Sequence, residues 1–439
     1  MSSLGDRSNL LLGKYRVVYT ASVLVCLTIL LLAAVVADCV YEVYGILFEP
    51  LVHNTLTLII YCVLPVLAIL SLLYNFKSSK LKLGLFVAML LLCFAQLTRS
   101  SSIWYDAIDP ISILGFKIDI LVITPTFDTA AFTILCLIIA TKGLDFRTIA
   151  KIYVITQALV LMTVTVLALT GVIPDMVFEE IGRPDRHSLG IHYPLNYVAR
   201  WFSVALVYCY LKNGFLKIWD YVVLLELWYI SIFVCKAQTS MVLYGLLIVG
   251  TAFRQLTLIY LKKNNKVLPD IVSKIKNVFL WFSQYSFVFF AVFMIAASLL
   301  YVPPISTAFS KIEKLSTFFS RFEFNRIGFE KYFPTLFGID YPKRTYIGTT
   351  PAKDYYFIDS SYVFVLLHCG IIAYTVLMVI LCYIPRRLYR NEQRYGLVLL
   401  FLFAMICSME YHMLDISVNI FWLMAFAEIY KVQHGNCLD

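Results

Sequence analysis

Long, uninterrupted runs of apolar residues dominate this chain and decide what it can fold into. The first run, from Val17 to Ala37, is long enough to cross the hydrocarbon core of a bilayer, which takes about 20 helical residues. No small-residue cleavage site follows a short apolar core, so we interpret this run as an uncleaved helix. Because the runs are continuous and do not alternate, they predict membrane-spanning helices and not the strands of a membrane barrel.

Twelve such spans are predicted along the chain, and the composition agrees with them. Hydrophobic residues make up 61% of the 439 residues and charged residues only 14%, whereas soluble domains carry about 25% charged residues. The sequence therefore predicts an all-α, polytopic integral membrane protein whose residues 1–439 form a single membrane domain. The predicted spans are roughly 17–37, 55–75, 83–98, 122–141, 152–172, 194–211, 218–235, 239–253, 278–302, 359–384, 396–409 and 416–430.

The distribution of lysine and arginine predicts the orientation of these spans. Cytoplasmic loops of membrane proteins carry an excess of both residues. With the N-terminus in the cytoplasm, most of the 36 lysines and arginines fall in inner segments, while the first outer loop, 38–54, has acidic residues and no basic ones. Both termini are therefore predicted to be cytoplasmic. The outer face then has a moderate loop at 173–193 and a large one at 303–358, between the ninth and tenth spans.

Several classes of chemistry have no signature in this sequence. The eleven cysteines lie mostly in predicted spans and show no CxxC spacing, so neither a disulfide framework nor a zinc site is indicated. No Walker A or GxGxxG motif is present, and the inner loops are too short for a nucleotide-binding domain. The net charge of +9 is divided among small loops, which argues against a nucleic-acid partner.

The large outer loop carries basic residues where the charge rule does not expect them. Within SRFEFNRIGFEKYFPTLFGID (320–340), Arg321, Arg326 and Lys331 are interleaved with phenylalanine and tyrosine. One interpretation is a solvated loop whose aromatic side chains lie among lipid headgroups. The other is an anion site, because the planar guanidinium of arginine pairs bidentately with phosphate and keeps its charge. A basic site beside the outer membrane surface favours a phosphate or pyrophosphate carried on a lipid.

The moderate outer loop repeats this pattern just before the sixth span. Arg183, Arg186, His187 and His192 lie within ten positions of one another. An interfacial loop with local acid–base pairing is the alternative to an anion site, and the spacing of the two histidines gives little support to a metal site. Arg200 follows inside the span, where a charged side chain usually faces the interior of the helix bundle.

Polar residues also form the last outer turn, between the two final predicted spans. MEYHMLDISVNIF (409–421) places Glu410, His412 and Asp415 in a short segment, with Asn419 one turn further along. A carboxylate beside a histidine at a membrane face can act as a general base. The same residues can equally form a polar turn between two helices, and the sequence leaves both interpretations open.

In this order, the three clusters resemble the oligosaccharide repeat-unit polymerases, the Wzy class of the O-antigen polymerase and ligase superfamily. RHSLGIHYPLN (186–196) is similar to the family's Arg-x-Ser-Leu-Gly-Phe-x-His-Pro-Asn pattern. SRFEFNRIGFEKYFPTLFG (320–338) resembles its segment with an arginine, a helix and a closing Leu-x-Gly. IDSSYVFVLLHCGII (358–372) resembles the run that begins the next span, and MEYHMLDISVNIF (409–421) resembles the Glu-His and Asn ending.

The chain departs from the family pattern at two places. His192 and Asn196 are each displaced by one position relative to Pro194. KAQTSM (236–241) stands where many members have an arginine motif before the eighth span, so Lys236 is the residue expected to supply that positive charge.

The resemblance implies a GT-C-like membrane glycosyltransferase of the bacterial cytoplasmic (inner) membrane. Such an enzyme transfers a growing glycan from polyprenyl pyrophosphate to a repeat unit on a second lipid carrier, and so makes O-antigen, capsule or exopolysaccharide. It needs no nucleotide, and no metal or other cofactor is expected. The implied partners are the lipid-linked oligosaccharide, membrane lipid, and the flippase and chain-length regulator of the same pathway.

The same resemblance implies roles for individual residues. Arg321, together with Arg186, would neutralise the departing pyrophosphate, which is the largest charge that develops in the transition state. The general base is one of four residues that the sequence does not rank, namely Glu410, His412, Asp359 and His187. Substrate contacts are expected from Arg183, His187, His192, Arg200, Lys236, Arg326 and Asn419.

Two rival functions stay open at this point. A ligase of the same superfamily would move the finished glycan to a lipid or protein acceptor, and the sequence separates it poorly from a polymerase. A flippase for the same lipid-linked oligosaccharide ranks third, because most charges of this chain lie in loops and few lie along the spans.

Overall fold

The computed structural model describes residues 2–40, 58–100, 111–113, 116–118, 127–178, 185–301, 313–339, 344–347 and 350–429, and nearly all of its regular structure is helical. The helices are α1 Ser2–Val40, α2 Ile59–Tyr74, α3 Ser79–Ser100, α4 Phe127–Ala140, α5 Phe146–Leu169, α6 Pro194–Leu211, α7 Ile218–Tyr229, α8 Gln238–Lys263, α9 Asp270–Ser283, α10 Ser286–Leu299, α11 Glu313–Lys331, α12 Ser361–Arg390 and α13 Arg394–Met409. The strands form three antiparallel pairs, β1 Ile111–Ile113 with β2 Phe116–Ile118, β3 Val177–Phe178 with β4 Arg186–His187, and β5 Arg344–Ile347 with β6 Thr350–Tyr356.

Several of these helices have the length and composition of membrane spans. Within the described residues, Tyr15–Val36, α5, α8 and α12 qualify, and the pair α9–α10 adds a fifth if it is counted as one bent span. Three shorter apolar segments, Ile59–Tyr74, Ala130–Ala140 and Arg394–Met409, accompany them. The chain is therefore a mostly helical, multi-pass membrane protein.

The exposed face of α5 indicates that lipid surrounds this fold. Ile155, Leu159, Met162, Val166 and Leu169 recur every three or four residues and are each more than half exposed. Residues at this spacing share one helix face. A continuous exposed apolar stripe of this length is rare on a soluble monomer but is expected where hydrocarbon surrounds the protein.

The predicted ninth span, 278–302, is not one straight helix. The chain bends by 67° between α9 and α10. At the bend, the backbone N–H groups of Gln284 and Tyr285 donate to the carbonyls of Trp281 and Phe282, at 3.3 and 2.9 Å. These bonds span three residues where a helix would span four, so the last turn of α9 tightens and the helix ends.

The prediction of a twelfth spanning helix at 416–430 is wrong. This segment forms only a six-residue 3₁₀ turn, Ile420–Ala425, within otherwise irregular backbone. Polar side chains within it and just before it explain the difference, because the carboxylate of Asp415 accepts from the backbone N–H of Ser417 (2.8 Å) and the amide of Asn419 donates to the carbonyl of Met413 (3.0 Å). Such local side-chain bonds compete with helical ones.

The C-terminal segment nevertheless runs the length of the bundle. It leaves α13 at Glu410, and its far end pairs with the start of α5, where the backbone N–H of Phe146 donates to the carbonyl of Glu428 at 3.1 Å. The guanidinium of Arg387, near the end of α12, donates to the carbonyl of Met424 at 2.6 Å. The segment is almost completely buried, which is the condition under which irregular backbone is tolerated at membrane depth.

The segment that follows α11 is docked into a break in α12. The helix is interrupted at Gly370, whose φ is +84°, and Gly338 approaches it with φ +89°. Backbone N–H groups of Ile371 and Ile339 donate to the carbonyls of Thr335 and Leu367 at 2.9 and 3.0 Å. A methyl group on either glycine would lie within about 2.2 Å of the other segment's backbone, so only glycine allows this approach.

Basic residues from distant segments meet at one end of the bundle. The guanidinium of Arg147, at the start of α5, donates to the carbonyl of Leu211, at the end of α6 (3.4 Å). Arg254, in the second half of α8, donates to the carbonyl of Asn213 (2.9 Å) and lies over the ring of Tyr395, at the start of α13 (4.7 Å). We call this the basic end. The starts of α6, α8 and α12 and the end of α13 lie at the opposite end.

Candidate functional site

Arg321 joins three segments of the chain at the end of the bundle opposite the basic end. It lies on α11, with its side chain 12% exposed, and its Nε donates to Oδ2 of Asp359 at 3.2 Å. Its Nη1 donates to the hydroxyl of Thr239, in the first turn of α8, at 3.1 Å. The helix α11 is thereby tied to the start of α8 and to the residues that lead into α12.

Glu410 lies next to this pair, immediately after the end of α13. Its side chain is 3% exposed, and its Oε1 accepts a hydrogen bond from the hydroxyl of Ser240 at 3.3 Å. Oε2 accepts no hydrogen bond from the described part of the chain and lies 3.6 Å from Nε2 of His412. Burial raises the pKa of Glu410 to about 7, and the positive charge of Arg321 opposes that rise. A carboxyl group in this state can exchange a proton near neutral pH.

The backbone at Glu410 is fixed by the start of α12. The hydroxyl of Ser361 donates to the carbonyl of Glu410 at 2.5 Å and accepts from the backbone N–H of Met413 at 3.1 Å. Asp359 lies two residues before Ser361, so the same helix start positions both carboxylates. A shift of α12 would therefore move Asp359 and Glu410 together.

Arg186 places a second guanidinium group near Glu410. It lies on β4, is 8% exposed, and stacks over the ring of Tyr193 with 5.3 Å between its Cζ and the ring centroid. It is close enough to lower the pKa of Glu410 through its charge. We call Arg186, Arg321, Asp359 and Glu410 the Arg–carboxylate cluster. Its members come from four separate segments of the chain, and all four were predicted from the sequence.

Thr239 and Ser240 complete this cluster and were not predicted. The sequence analysis singled out Lys236 in the same segment, and the structure places Lys236 in the left-handed turn (φ +49°) that leads into α8. The two hydroxyl residues occupy the first turn of α8, where serine and threonine are common for local reasons. Nothing in the sequence indicates that their partners would be Arg321 and Glu410, more than 80 positions away.

His187 lies beside the cluster but has a partner of its own. Its Nδ1 is 2.6 Å from Oδ2 of Asp175, and its side chain is 43% exposed. Oδ1 of Asp175 accepts from the backbone N–H groups of Ser188 and Leu189 at 3.1 and 2.7 Å. Asp175 therefore orients His187 and fixes the turn after β4 at the same time. His192 follows this turn, and its backbone N–H donates to the carbonyl of Asp38 at 3.0 Å.

Arg200 belongs to a second, buried polar group. Its guanidinium pairs with Asp38 at the end of α1 and with the hydroxyl of Ser417, and it lies 3.6 Å from Oδ2 of Asp415. Its charge is thus compensated by two carboxylates, as the burial of a cation requires. Arg200 holds α1, α6 and the C-terminal segment together.

His412 lies between the two polar groups. Its ring is buried next to the carboxyl of Glu410, with 3.6 Å between Nε2 and Oε2. Asn419 is also buried, and its amide donates to the carbonyl of Met413.

The remaining predicted residues lie apart from these contacts. Arg326 forms an ion pair with Glu330, one turn along α11, with 2.5 Å between Nη1 and Oε1. Arg183 lies outside the described residues. Among the predicted bases, the structure therefore places Glu410 and Asp359 inside the cluster, His412 in contact with it and His187 at its side.

Comparisons of this chain with protein-family models, with curated proteins and with solved structures find no match. A functional assignment therefore has to be argued from the residues of this chain and their arrangement.

Proposed function

We propose that this chain is a glycosyltransferase that polymerises oligosaccharide repeat units carried on polyprenyl pyrophosphate. The observation that supports this proposal is the Arg–carboxylate cluster itself. It combines the buried guanidinium of Arg186 and the partly exposed guanidinium of Arg321, which suit a pyrophosphate, with a buried carboxyl group whose pKa is about 7, which suits a general base.

The proposed reaction moves a glycan between two lipid carriers. Glu410 accepts the proton of the acceptor sugar's hydroxyl group, and the hydroxyl oxygen attacks the anomeric carbon of the donor glycan. The bond from that carbon to the pyrophosphate oxygen breaks, and polyprenyl pyrophosphate leaves with the electron pair. Arg321 and Arg186 stabilise the negative charge that develops on the leaving group. Asp359 acts as a positioning residue, because it holds Nε of Arg321.

The proposal includes a location and a topology. The basic end of the bundle would face the cytoplasm, following the general excess of lysine and arginine there. The cluster would then open on the outer face of a bacterial cytoplasmic membrane, where lipid-linked repeat units are presented. Twelve crossings with both termini inside, in a GT-C-like arrangement, are part of this proposal. The buried C-terminal segment, 411–429, would make the last crossing.

The proposal is tested by complementing cells that lack this protein. We expect Arg321→Ala to give no polymer ladder at normal membrane abundance, because one charge-assisted contact to a developing charge is worth about 10²–10³ in rate. Arg321→Lys keeps the positive charge but loses the pair of N–H donors that binds phosphate bidentately, so polymer formation should be strongly reduced. The matched control is Lys331→Ala, which removes an exposed cation from the same helix and should restore a full ladder.

The pattern of surface glycan separates the proposed function from its rivals. A missing ladder with single repeat units still attached to their acceptor supports a polymerase. Loss of all attached repeats would instead indicate a ligase or a flippase. A full ladder from Arg321→Ala would contradict the pyrophosphate-binding role.

A further inference from the structure

The helix α9 presents an apolar face that no other described element covers. Ile271, Ile275 and Val278 lie one turn apart on this face and are each about two-thirds exposed or more. The opposite side of the helix is buried, with Leu280 and Ser283 on it, and near the end of the helix the rings of Phe279 and Phe282 contact Phe401 of α13. The exposed stripe therefore points away from the bundle.

The bend before α10 places α9 across the end of the bundle. Next to the bend, the ring of Tyr285 lies under the guanidinium of Arg386, near the end of α12, at 5.2 Å. The bend is therefore at the basic end. Because α9 leaves α10 at 67°, it runs roughly in the plane of the membrane surface if α10 is roughly perpendicular to that surface.

Lysines surround the exposed apolar stripe. Lys262 and Lys263 end α8, Lys266 follows in the connecting turn, and Lys274 and Lys276 lie on α9. The carboxylate of Asp270 pairs with Lys274 at 2.8 Å, and both side chains are highly exposed. Five lysines against one acidic residue leave this short segment strongly positive. An apolar stripe flanked by lysines is the pattern of helices that lie in a membrane interface.

We propose that residues 262–283 form a binding surface for anionic phospholipid headgroups at the basic end of the bundle. The apolar stripe enters the acyl region, and the lysines pair with headgroup phosphates. Anionic lipids of the cytoplasmic leaflet attract such segments. This proposal does not depend on the enzymatic function, since it concerns the end of the bundle opposite the Arg–carboxylate cluster.

Native mass spectrometry of the full-length protein provides the test. We expect the protein to retain phosphatidylglycerol in preference to phosphatidylcholine, and Lys263→Ala/Lys274→Ala to weaken phosphatidylglycerol binding about tenfold or more. The conservative variant Lys263→Arg/Lys274→Arg should bind as the wild type does. The matched control is Lys77→Ala/Lys80→Ala, which removes the same charge from exposed positions in the turn after α2 and at the start of α3 and should have little effect.

Hydrogen exchange then locates the lipid. Amides of 270–283 should exchange more slowly in nanodiscs that contain phosphatidylglycerol than in nanodiscs of phosphatidylcholine alone, and Lys263→Ala/Lys274→Ala should remove the difference. Equal exchange in both lipids, or equal loss of binding in the Lys77→Ala/Lys80→Ala control, would overturn the proposal. Protection that arises only when a cytosolic protein is added would also overturn it, because the stripe would then be a protein interface.

Discussion

At the scale of single residues, the proposed reaction depends on the protonation of Glu410. Its raised pKa means that the fold favours the neutral acid, while a general base must be ionised. We therefore expect the rate of glycan transfer by the purified protein to rise as pH increases through about 7. Glu410→Gln should be inactive at every pH, whereas Glu226→Gln, which changes an exposed carboxyl on α7, should keep the wild-type profile. A profile unchanged by pH between 5 and 9 would exclude Glu410 as the base.

The protonation of Glu410 also makes the stability of the fold depend on pH. This dependence distinguishes a misfolded variant from one that is folded but lacks the general base. The pKa of this carboxyl is higher in the folded state than its ordinary value of 4.5. Its contribution to the free energy of unfolding is therefore fully present below pH 4.5 and is lost as pH rises through about 7. Above that pH, the wild type carries a buried charge at a cost on the order of 3 kcal/mol. Thermal unfolding should accordingly show Glu410→Gln gaining stability relative to the wild type as pH rises. A variant that is inactive but more stable at high pH has lost the base and not the fold.

At the scale of secondary-structure elements, the break in α12 connects α11 to the Arg–carboxylate cluster. The segment after α11 docks there, and α12 in turn positions Asp359 and Glu410 through its first residues. We expect Gly338→Ala and Gly370→Ala each to destabilise the protein by at least about 2 kcal/mol, since both require positive φ and close backbone approach. Both should also lower activity. Gly250→Ala, in open space on α8, should be neutral or slightly stabilising in the same thermal unfolding assay; similar melting temperatures for all three variants would contradict this account.

The elements also show what the sequence can predict and what it cannot. Eleven of the predicted spans overlap helices, because long apolar runs have few alternatives in lipid. The segment 416–430 is also rich in apolar residues but forms no spanning helix, since polar residues in and next to it bond to nearby backbone while neighbouring helices shield it. The Arg–carboxylate cluster was predicted as separate residues. Its assembly, and the parts of Thr239 and Ser240 in it, depend on packing between distant segments that no local pattern encodes.

At the scale of the whole molecule, the two ends of the bundle carry different groups of charged residues. Arg147, Arg254 and Arg387 meet at one end, where they bind backbone carbonyls of neighbouring segments. The Arg–carboxylate cluster lies at the other ends of the same long elements, at the start of α8 and the end of α13. The two ends are separated by the length of α8, whose 26 residues span about 39 Å at 1.5 Å per residue. A molecule of this kind can hold its two faces in different compartments.

This polarity predicts which side of the membrane each end occupies. A reporter that is active only outside the cytoplasm should be active when fused after Ser316, which lies on α11 beside the cluster, and silent when fused after Arg390 at the basic end. A fusion after Ile429 should also be silent, because the backbone of Glu428 pairs with Leu144 and Phe146, at the basic end. The fusion after Ile429 tests the irregular segment 411–429 directly. An active reporter at this position would mean that the segment does not return across the membrane. The reverse pattern for the first two fusions would place the cluster in the cytoplasm, where an acceptor and donor on the outer leaflet could not reach it, and the proposed polymerase function would fall with it.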